Sequence, residues 1–313
     1  MSEANIAIEE RRHRMVEVLL RLTTGEGMRP TILDGVKLCR ADRHTRRTPV
    51  LYDPSIVIVA NGRKRGYVGD RCIVYDPNNY LVLAVPLPFE CESEATSEGP
   101  MLGVSIRVDM STLSELAMKI DVKGKPNNGD ECRSICATPL DIQMMDAAIR
   151  LLEFLQSPVD AAVLGPGAVR EIVYRVLRGK RGAALLELLA RNSQLAQIRI
   201  AQQQILSHYA EQLEVARMAE DVGMSVSAFY HNFKAVTATS PLQYLKSIRL
   251  HKARMLIVHD GLGAAVAADR VGYESASQFS REFKRFFGQS PTEETVKVRK
   301  MLGVDAPEEA LVG

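Results

Sequence analysis

The last third of this chain contains the same segment twice. Ala219-Glu220-Asp221-Val222-Gly223 returns 49 residues later as Ala268-Asp269-Arg270-Val271-Gly272. One residue then enters, and the offset becomes 50: Ser225, Ser227, Phe229, Phe233 and Lys234 return as Ser275, Ser277, Phe279, Phe283 and Lys284, and Ser240-Pro241 returns as Ser290-Pro291. A repeat of this length means one supersecondary unit used twice, which restricts the C-terminal part to two like folds joined in series.

Each copy reads as a helix, a tight turn and a second helix. Val215, Met218, Ala219 and Val222 form one apolar face, and Gly223 stands where that helix must stop, free to take the positive φ of a C-cap. Ser225 then caps the next helix, and Phe229 and Phe233, four apart, share its inner side. Ser227, Tyr230 and His231 point the other way. In the second copy Ala264, Ala267, Ala268 and Val271 precede Gly272 and Ser275. There Phe279, Phe283 and Phe286 are expected inside, with Ala276, Ser277, Gln278, Ser280 and Arg281 outside. Between the copies Pro241 opens a long helix, where its missing N–H costs nothing. The spacing places Leu242, Leu245, Ile248, Ala253, Leu256 and Ile257 inward and Lys246, Arg249, Lys252 and Arg254 largely outward. Two such units on a stiff connector suit successive major grooves, about 34 Å apart on one face of a duplex. Lys234, Lys284 and Arg285 are further candidates for phosphate contacts.

The earlier part has a different period. Val50 to Tyr52, Ser55 to Ala60, Arg71 to Tyr75, Tyr80 to Val85 and Met101 to Val108 read as short strands. They are divided by turn signals at Asp53-Pro54, Asn61-Gly62, Gly69-Asp70, Asp76 to Asn79 and Glu98-Gly99-Pro100. Strands at this spacing suggest a sandwich or barrel over about 30–110. Residues 121–131 read as an exposed loop. After Pro139 the pattern is helical through about residue 200. One stripe is Met145, Ala148, Ile149, Leu152 and Leu155, wide enough to pack on the barrel or to take a second copy; pairing of subunits is the reading adopted. A second stripe is Val169, Ile172, Val173, Val176 and Leu177, after a break at Gly165-Pro166-Gly167.

Composition bounds the rest. The net charge is only +2. Residues 205–300 hold 13 Lys/Arg against 10 Asp/Glu, and 301–313, read as a flexible tail, hold three acids and no base. This tilt fits a nucleic-acid partner without establishing one. Residues 1–14 lack the apolar core of a secretion signal and no window is long enough for a membrane span, so a cytoplasmic location is expected. The five cysteines are an odd count, which argues for reduced thiols. Cys132 and Cys136 have the wrong spacing for the usual zinc or redox pairs, and redox sensing is a minor possibility. Of the six histidines, at 13, 44, 208, 231, 251 and 259, only His44 falls among the strands, so a His-based metal site in the barrel is not expected. No phosphate loop, Gly-x-Ser-x-Gly or His-Glu-x-x-His is present. A barrel enzyme fused to a DNA-binding tail is thereby disfavoured, and a regulator with no effector remains the closer rival.

The run from Ser277 through Pro291, with Ile248 to Leu256 before it, resembles the AraC/XylS-type transcription regulators. The stretch Thr48 to Ser55 through Asn61-Gly62-Arg63-Lys64 and Asp76 to Val82 is similar to an N-terminal domain type of that family with a cupin-like barrel. The resemblance implies that Ser227, Tyr230 and His231 in the first copy, and Ala276, Ser277, Gln278, Ser280 and Arg281 in the second, touch DNA. His231 stands where a basic Arg is common, and Arg281 could meet phosphate rather than a base. The resulting expectation is an α+β multidomain chain. Residues 1–200 form a cupin-like β-barrel or jelly-roll with flanking helices, for sensing and dimerisation. Residues 201–300 form an all-α domain with two helix-turn-helix units. Partners are double-stranded promoter DNA, a small-molecule effector, RNA polymerase and a second copy as a homodimer, with activation as the expected sense of control. No cofactor, metal or membrane is expected. Asn61, Arg63 and Arg107 are polar groups on the strands that could line a cavity or lie at the surface.

Overall fold

Burial of β-branched strands on both faces shapes the first half of the molecule. The computed structural model describes residues 3–97, 99–120, 134–179, 182–189, 193–294 and 296. It divides into two compact units that part between Arg199 and Ile200. The first unit opens with α1 (Glu3–Leu22), whose Met15, Val18 and Leu19 are buried at helical spacing. Ten strands follow: β1 (Gly27–Pro30), β2 (Val36–Ala41), β3 (Thr45–Tyr52), β4 (Ser55–Asn61), β5 (Arg63–Val68), β6 (Arg71–Tyr75), β7 (Asn79–Leu83), β8 (Leu87–Glu94), β9 (Met101–Arg107) and β10 (Ile135–Pro139). They make two antiparallel sheets, ordered β1-β2-β9-β4-β7-β10 and β3-β8-β5-β6. The larger sheet has α1 on β4 and β9, so Ile56, Val57, Ile58 and Val59 are buried without alternation. In the smaller sheet β8 alternates strictly, with Leu87, Phe89, Cys91 and Ser93 inside.

The five expected strands are all present, with boundaries within a few residues. β1, β2, β5, β8 and β10 were not anticipated. β5 and β8 carry charge on most solvent-facing positions (Arg63 and Arg65; Glu90, Glu92 and Glu94), which masks their alternation, and β10 reaches the sheet edge beside β7 from more than fifty residues away. The helix α2 (Met110–Lys119), capped by the Asp109 carboxylate on the Thr112 N–H, was also missed. Three further helices cover this unit: α3 (Ile142–Phe154), α4 (Pro158–Val163) and α5 (Gly165–Arg178), followed by the short α6 (Gly182–Glu187). The break expected at Gly165-Pro166-Gly167 falls between α4 and α5, and Pro166 sits in the first turn of α5. Residues 121–131, Cys132 and the tail 301–313 lie outside the described residues.

The pairing role read for α3 needs correction. Met145, Ala148, Leu152 and Leu155 are buried within the chain and Ile149 is half-buried, because α1 and α5 pack on that face. A surface consumed by its own chain is not free for a second copy.

The second unit repeats in three dimensions as it does in sequence. After α7 (Gln194–Ser207) come α8 (Val215–Asp221) and α9 (Val226–Thr237), the connector α10 (Pro241–Val258), then α11 (Ala264–Arg270) and α12 (Ala276–Phe287). The paired helices are equal in length, seven residues and twelve. Both turns use a left-handed glycine, Gly223 at φ 69° and Gly272 at φ 81°. Ser225 and Ser275 receive the N–H of Ala228 and Gln278, each at 3.3 Å. Phe229 and Phe233 lie 5.5 Å apart between ring centroids, as do Phe279 and Phe283. All four are fully buried. α10 supplies Tyr244 and Ile248 to the core, and Leu250, Ala253 and Ile257 pack with the second copy. Leu242, expected inward, is exposed, and Phe286 is only half-buried.

The two glycines differ in one respect. A Cβ on Gly223 would meet open space, whereas on Gly272 it would fall 2.2 Å from the Ala210 carbonyl oxygen. We expect Gly223→Ala to cost about 1 kcal/mol through its positive φ, and Gly272→Ala roughly 3 kcal/mol as the clash adds to it. Urea unfolding of both variants checks this; equal losses would contradict the contact.

Candidate nucleic-acid interface

The outward faces of α9 and α12 follow from the buried phenylalanines. Once Phe229 and Phe233 point inward, positions 227, 230, 231 and 234 must share the opposite side of α9. The structure places Ser227, Tyr230, His231 and Lys234 there, all exposed. On α12 Ala276, Ser277, Gln278, Arg281, Lys284 and Arg285 are exposed and Ser280 is half-buried. Each helix thus presents its expected residues together.

Electrostatically the two faces are unequal. α9 carries one permanent charge on its outward side, Lys234, beside the neutral Ser227 and Tyr230. α12 carries Arg281, Lys284 and Arg285, none in an ion pair among the described residues. Its one acid, Glu282, is turned aside. Glu282 accepts from the Tyr273 hydroxyl at 2.9 Å and from Lys246 of α10 at 2.7 Å. Burial works against this carboxylate, yet Lys246 and Tyr273 outweigh burial and hold its pKa below the usual value. The result is a helix face with positive charge and no competing acid, which suits phosphate.

The basic residues of α10 were expected to lie outward and mostly do not. Lys246 is occupied by Glu282, and Arg254 pairs with the buried Glu294 just after Ser290-Pro291. Arg249 donates to three backbone carbonyls: Tyr209 at 2.6 Å, Glu211 at 2.9 Å and Gly272 at 3.0 Å. It therefore holds the segment before α8 and the turn of the second copy to one helix. Periodicity alone could not separate these positioning roles from solvated charge, because long basic side chains reach far from their Cα.

The polar strand residues do not form an interior site. Asn61 donates to the Pro100 carbonyl at 2.7 Å, Arg63 lies exposed near Asp76, and Arg107 is exposed and paired with Asp34. His44 is exposed, and no metal-binding group of His, Cys, Asp or Glu occurs among the described residues.

Comparison with known proteins fits this arrangement. Residues 32–184 match the family described as AraC-type transcriptional regulator N-terminus, and residues 218–295 match a helix-turn-helix domain. The chain belongs to the AraC-type transcription regulators. The family is one of regulators rather than enzymes, which removes the barrel-enzyme rival. A probable thc operon regulatory protein of Rhodococcus erythropolis is 33% identical over 100 residues, covering 31% of this chain and 30% of that protein. The transcriptional activator RhaS of Salmonella agona (strain SL483) is 29% identical over 151 residues, 48% of this chain and 52% of its own. The AraC-type chain thus spans about a third to a half of the length of these curated relatives. Among solved structures, ToxT from Vibrio cholerae strain SCE256 with bound unsaturated fatty acid has a TM-score of 0.61 at 11% identity, covering 87% of this chain and 97% of that one. ToxT from Vibrio cholerae O395 has a TM-score of 0.56 at 11% identity, covering 83% and 96%. At that identity the likeness shows the fold alone. No helix among the described residues is long and apolar enough to cross a membrane.

One buried group makes the DNA-binding unit of this regulator acid-sensitive. His251 on α10 sits edge-on to Phe286 and Phe287, both at 5.4 Å, with its Nε2 unpaired. Burial, and then Arg254, push its pKa down to about 3 from 6.5. Below about 6.5 the unfolded chain binds a proton that the folded chain refuses, so stability present above that pH is lost as pH falls toward 3. The loss should reach a few kcal/mol, on the order of 1.4 per pH unit. Melting of wild type and His251→Leu between pH 7 and 4, chosen as roughly the span of this titration, should show a steeper decline in wild type. Parallel curves would refute the assignment.

Proposed function

We propose that this chain is a sequence-specific DNA-binding transcription regulator that seats α9 and α12 in successive major grooves of promoter DNA. The observation that carries this reading is the exact recurrence of helix lengths and buried phenylalanine pairs, with a polar, acid-free face outward on each second helix. Ser227, Tyr230 and His231 read base edges in the first unit, with Lys234 on phosphate. In the second, Ala276, Ser277, Gln278 and Ser280 lie toward the groove while Arg281, at its edge, meets phosphate and Lys284 and Arg285 anchor the backbone beyond it. The charge difference assigns more of the salt-dependent affinity to α12 and more of the base discrimination to α9.

The N-terminal unit is assigned to sensing: a small molecule bound there shifts DNA affinity by its preference for one of two arrangements. The protein works in the cytoplasm as a homodimer and acts as an activator through contact with RNA polymerase. These parts rest on membership of the family and on the presence of a separate sheet-rich unit. The pairing surface lies elsewhere than the α3 stripe.

Footprinting on DNA flanking the gene, with and without candidate effectors, tests the proposal; no protected site at low salt would end it. Arg281→Gln should weaken binding and reduce the slope of log affinity against log salt by about one phosphate equivalent. A slope equal to that of wild type would remove Arg281 from the phosphate contacts.

A further inference from the structure

The duplication pairs the two second helices residue for residue. α9 (Val226–Thr237) and α12 (Ala276–Phe287) stand fifty positions apart throughout, and the offset holds at the buried rings, Phe229 with Phe279 and Phe233 with Phe283. With the rings matched, the outward positions match as well: Ser227 with Ser277, Tyr230 with Ser280, His231 with Arg281 and Lys234 with Lys284. The serine and lysine pairs keep their residue. At 231 and 281 both side chains can carry positive charge, but only the guanidinium carries it at every working pH. A histidine therefore stands at the position from which Arg281 is assigned to phosphate.

His231 is exposed, and no ion pair or side-chain hydrogen bond holds it among the described residues. The charged groups around it are few. On α9 itself Lys234 follows one turn later. The preceding helix α8 has Arg217, Glu220 and Asp221, all exposed, and Asp221 accepts from Gln204 of α7 at 3.0 Å. The connector α10 has no charged residue before Lys246, which pairs with Glu282. The first-copy counterpart of Glu282 is Asn232, a neutral amide that reaches the Met224 sulfur at 3.6 Å. No carboxylate on α9 therefore competes for the imidazole. Two cations one helical turn apart repel in the free chain, and a phosphate set between them turns that repulsion into attraction. Uptake of a proton at His231 is thereby tied to the arrival of the duplex.

We infer that His231 meets the DNA backbone as an imidazolium, so that the first unit gains, by taking up a proton together with the duplex, the anchor that Arg281 gives the second unit permanently. This rests on the seating of α9 and α12 proposed above, and it confines the base-edge role of His231 to the neutral ring. Histidine is the side chain that changes charge between about pH 5 and 8. A proton held more firmly in the complex than in the free chain makes affinity rise as pH falls, and the gain is lost as pH rises. Affinity of the first unit thus follows pH over a range in which the charge of the second stays constant.

The test is fluorescence anisotropy of the full chain with a labelled duplex taken from directly upstream of the gene, at equal ionic strength and at about pH 8 and about pH 6, either side of the point where histidine changes charge. Wild type should bind roughly fivefold tighter at the lower pH, with a slope of log affinity against log salt steeper by nearly one phosphate equivalent. His231→Arg should bind at both values as wild type does at the lower, and His231→Gln at both as wild type does at the higher. Arg281→His should widen the difference, because two anchors then titrate. Burial pushes the pKa of His251 down to about 3, so the unit stays folded over this range, and melting of each protein at both values checks that. Equal affinity of wild type at the two values, a difference that His231→Gln leaves intact, or one that His231→Arg does not abolish would overturn the inference while leaving the two-unit reading standing. No binding by wild type at either value would overturn both.

Discussion

The DNA-binding unit depends on the burial of four phenylalanines. Phe229 and Phe233, and fifty residues on Phe279 and Phe283, anchor each second helix to the core. Each ring removes roughly 150–250 Å² from water, so no alternative rotation of the helix competes. With that rotation set, every outward position is set too, because side chains of a helix are fixed relative to one another by its pitch. The exposed side chains at Ser227, Tyr230 and His231 or at Gln278 and Arg281 can then vary without disturbing the fold. The core and the outward surface are separated by half a turn of helix.

Electrostatics refines this frame. Lys246 draws Glu282 away from the face of α12, and Arg249 gathers the carbonyls of Tyr209 and Glu211 before α8 and of Gly272 in the turn of the second copy. Both residues belong to α10, the connector. That helix therefore does more than space the two units: it packs their cores, clears one acid from the outward face and closes the loops that precede them. A hydrogen bond from a charged donor is among the stronger contacts in a protein, so the connector's basic residues are better viewed as fasteners than as surface charge.

How much of this was legible depended on whether the cause was local. The repeat could be read because glycine, serine caps and phenylalanine spacing are local devices, and the structure reproduces them down to helix length. The α3 stripe was legible as a buried face, but Met145, Ala148 and Leu152 meet α1 and α5, and no feature of the stripe distinguishes a neighbour within the chain from a second copy. β10 pairs with β7 across a long intervening stretch, and α1 lies beside strands that follow it by more than thirty residues; such partners leave no mark in a window of sequence. Arg249 and Lys246 share a residue type with solvated charge, and only the position of their acceptors reveals the difference. Lys64 was hidden for a related reason. It sits in a basic run, Arg63-Lys64-Arg65, that looks uniformly exposed until the strand alternation is imposed on it.

The two halves of the molecule place opposite demands on charge. In the C-terminal unit, Glu282 and Glu294 are paired with Lys246 and Arg254 while Arg281, Lys284 and Arg285 stay exposed, where release of counterions would give DNA binding its strength. In the N-terminal unit, surface cations such as Arg65 are paired with Glu92 and Glu94, while the buried Lys64 donates to the Tyr52 hydroxyl and has no ion pair among the described residues. A free cation outside gains little from any one anion because water screens it, but the same cation between two sheets gains far more.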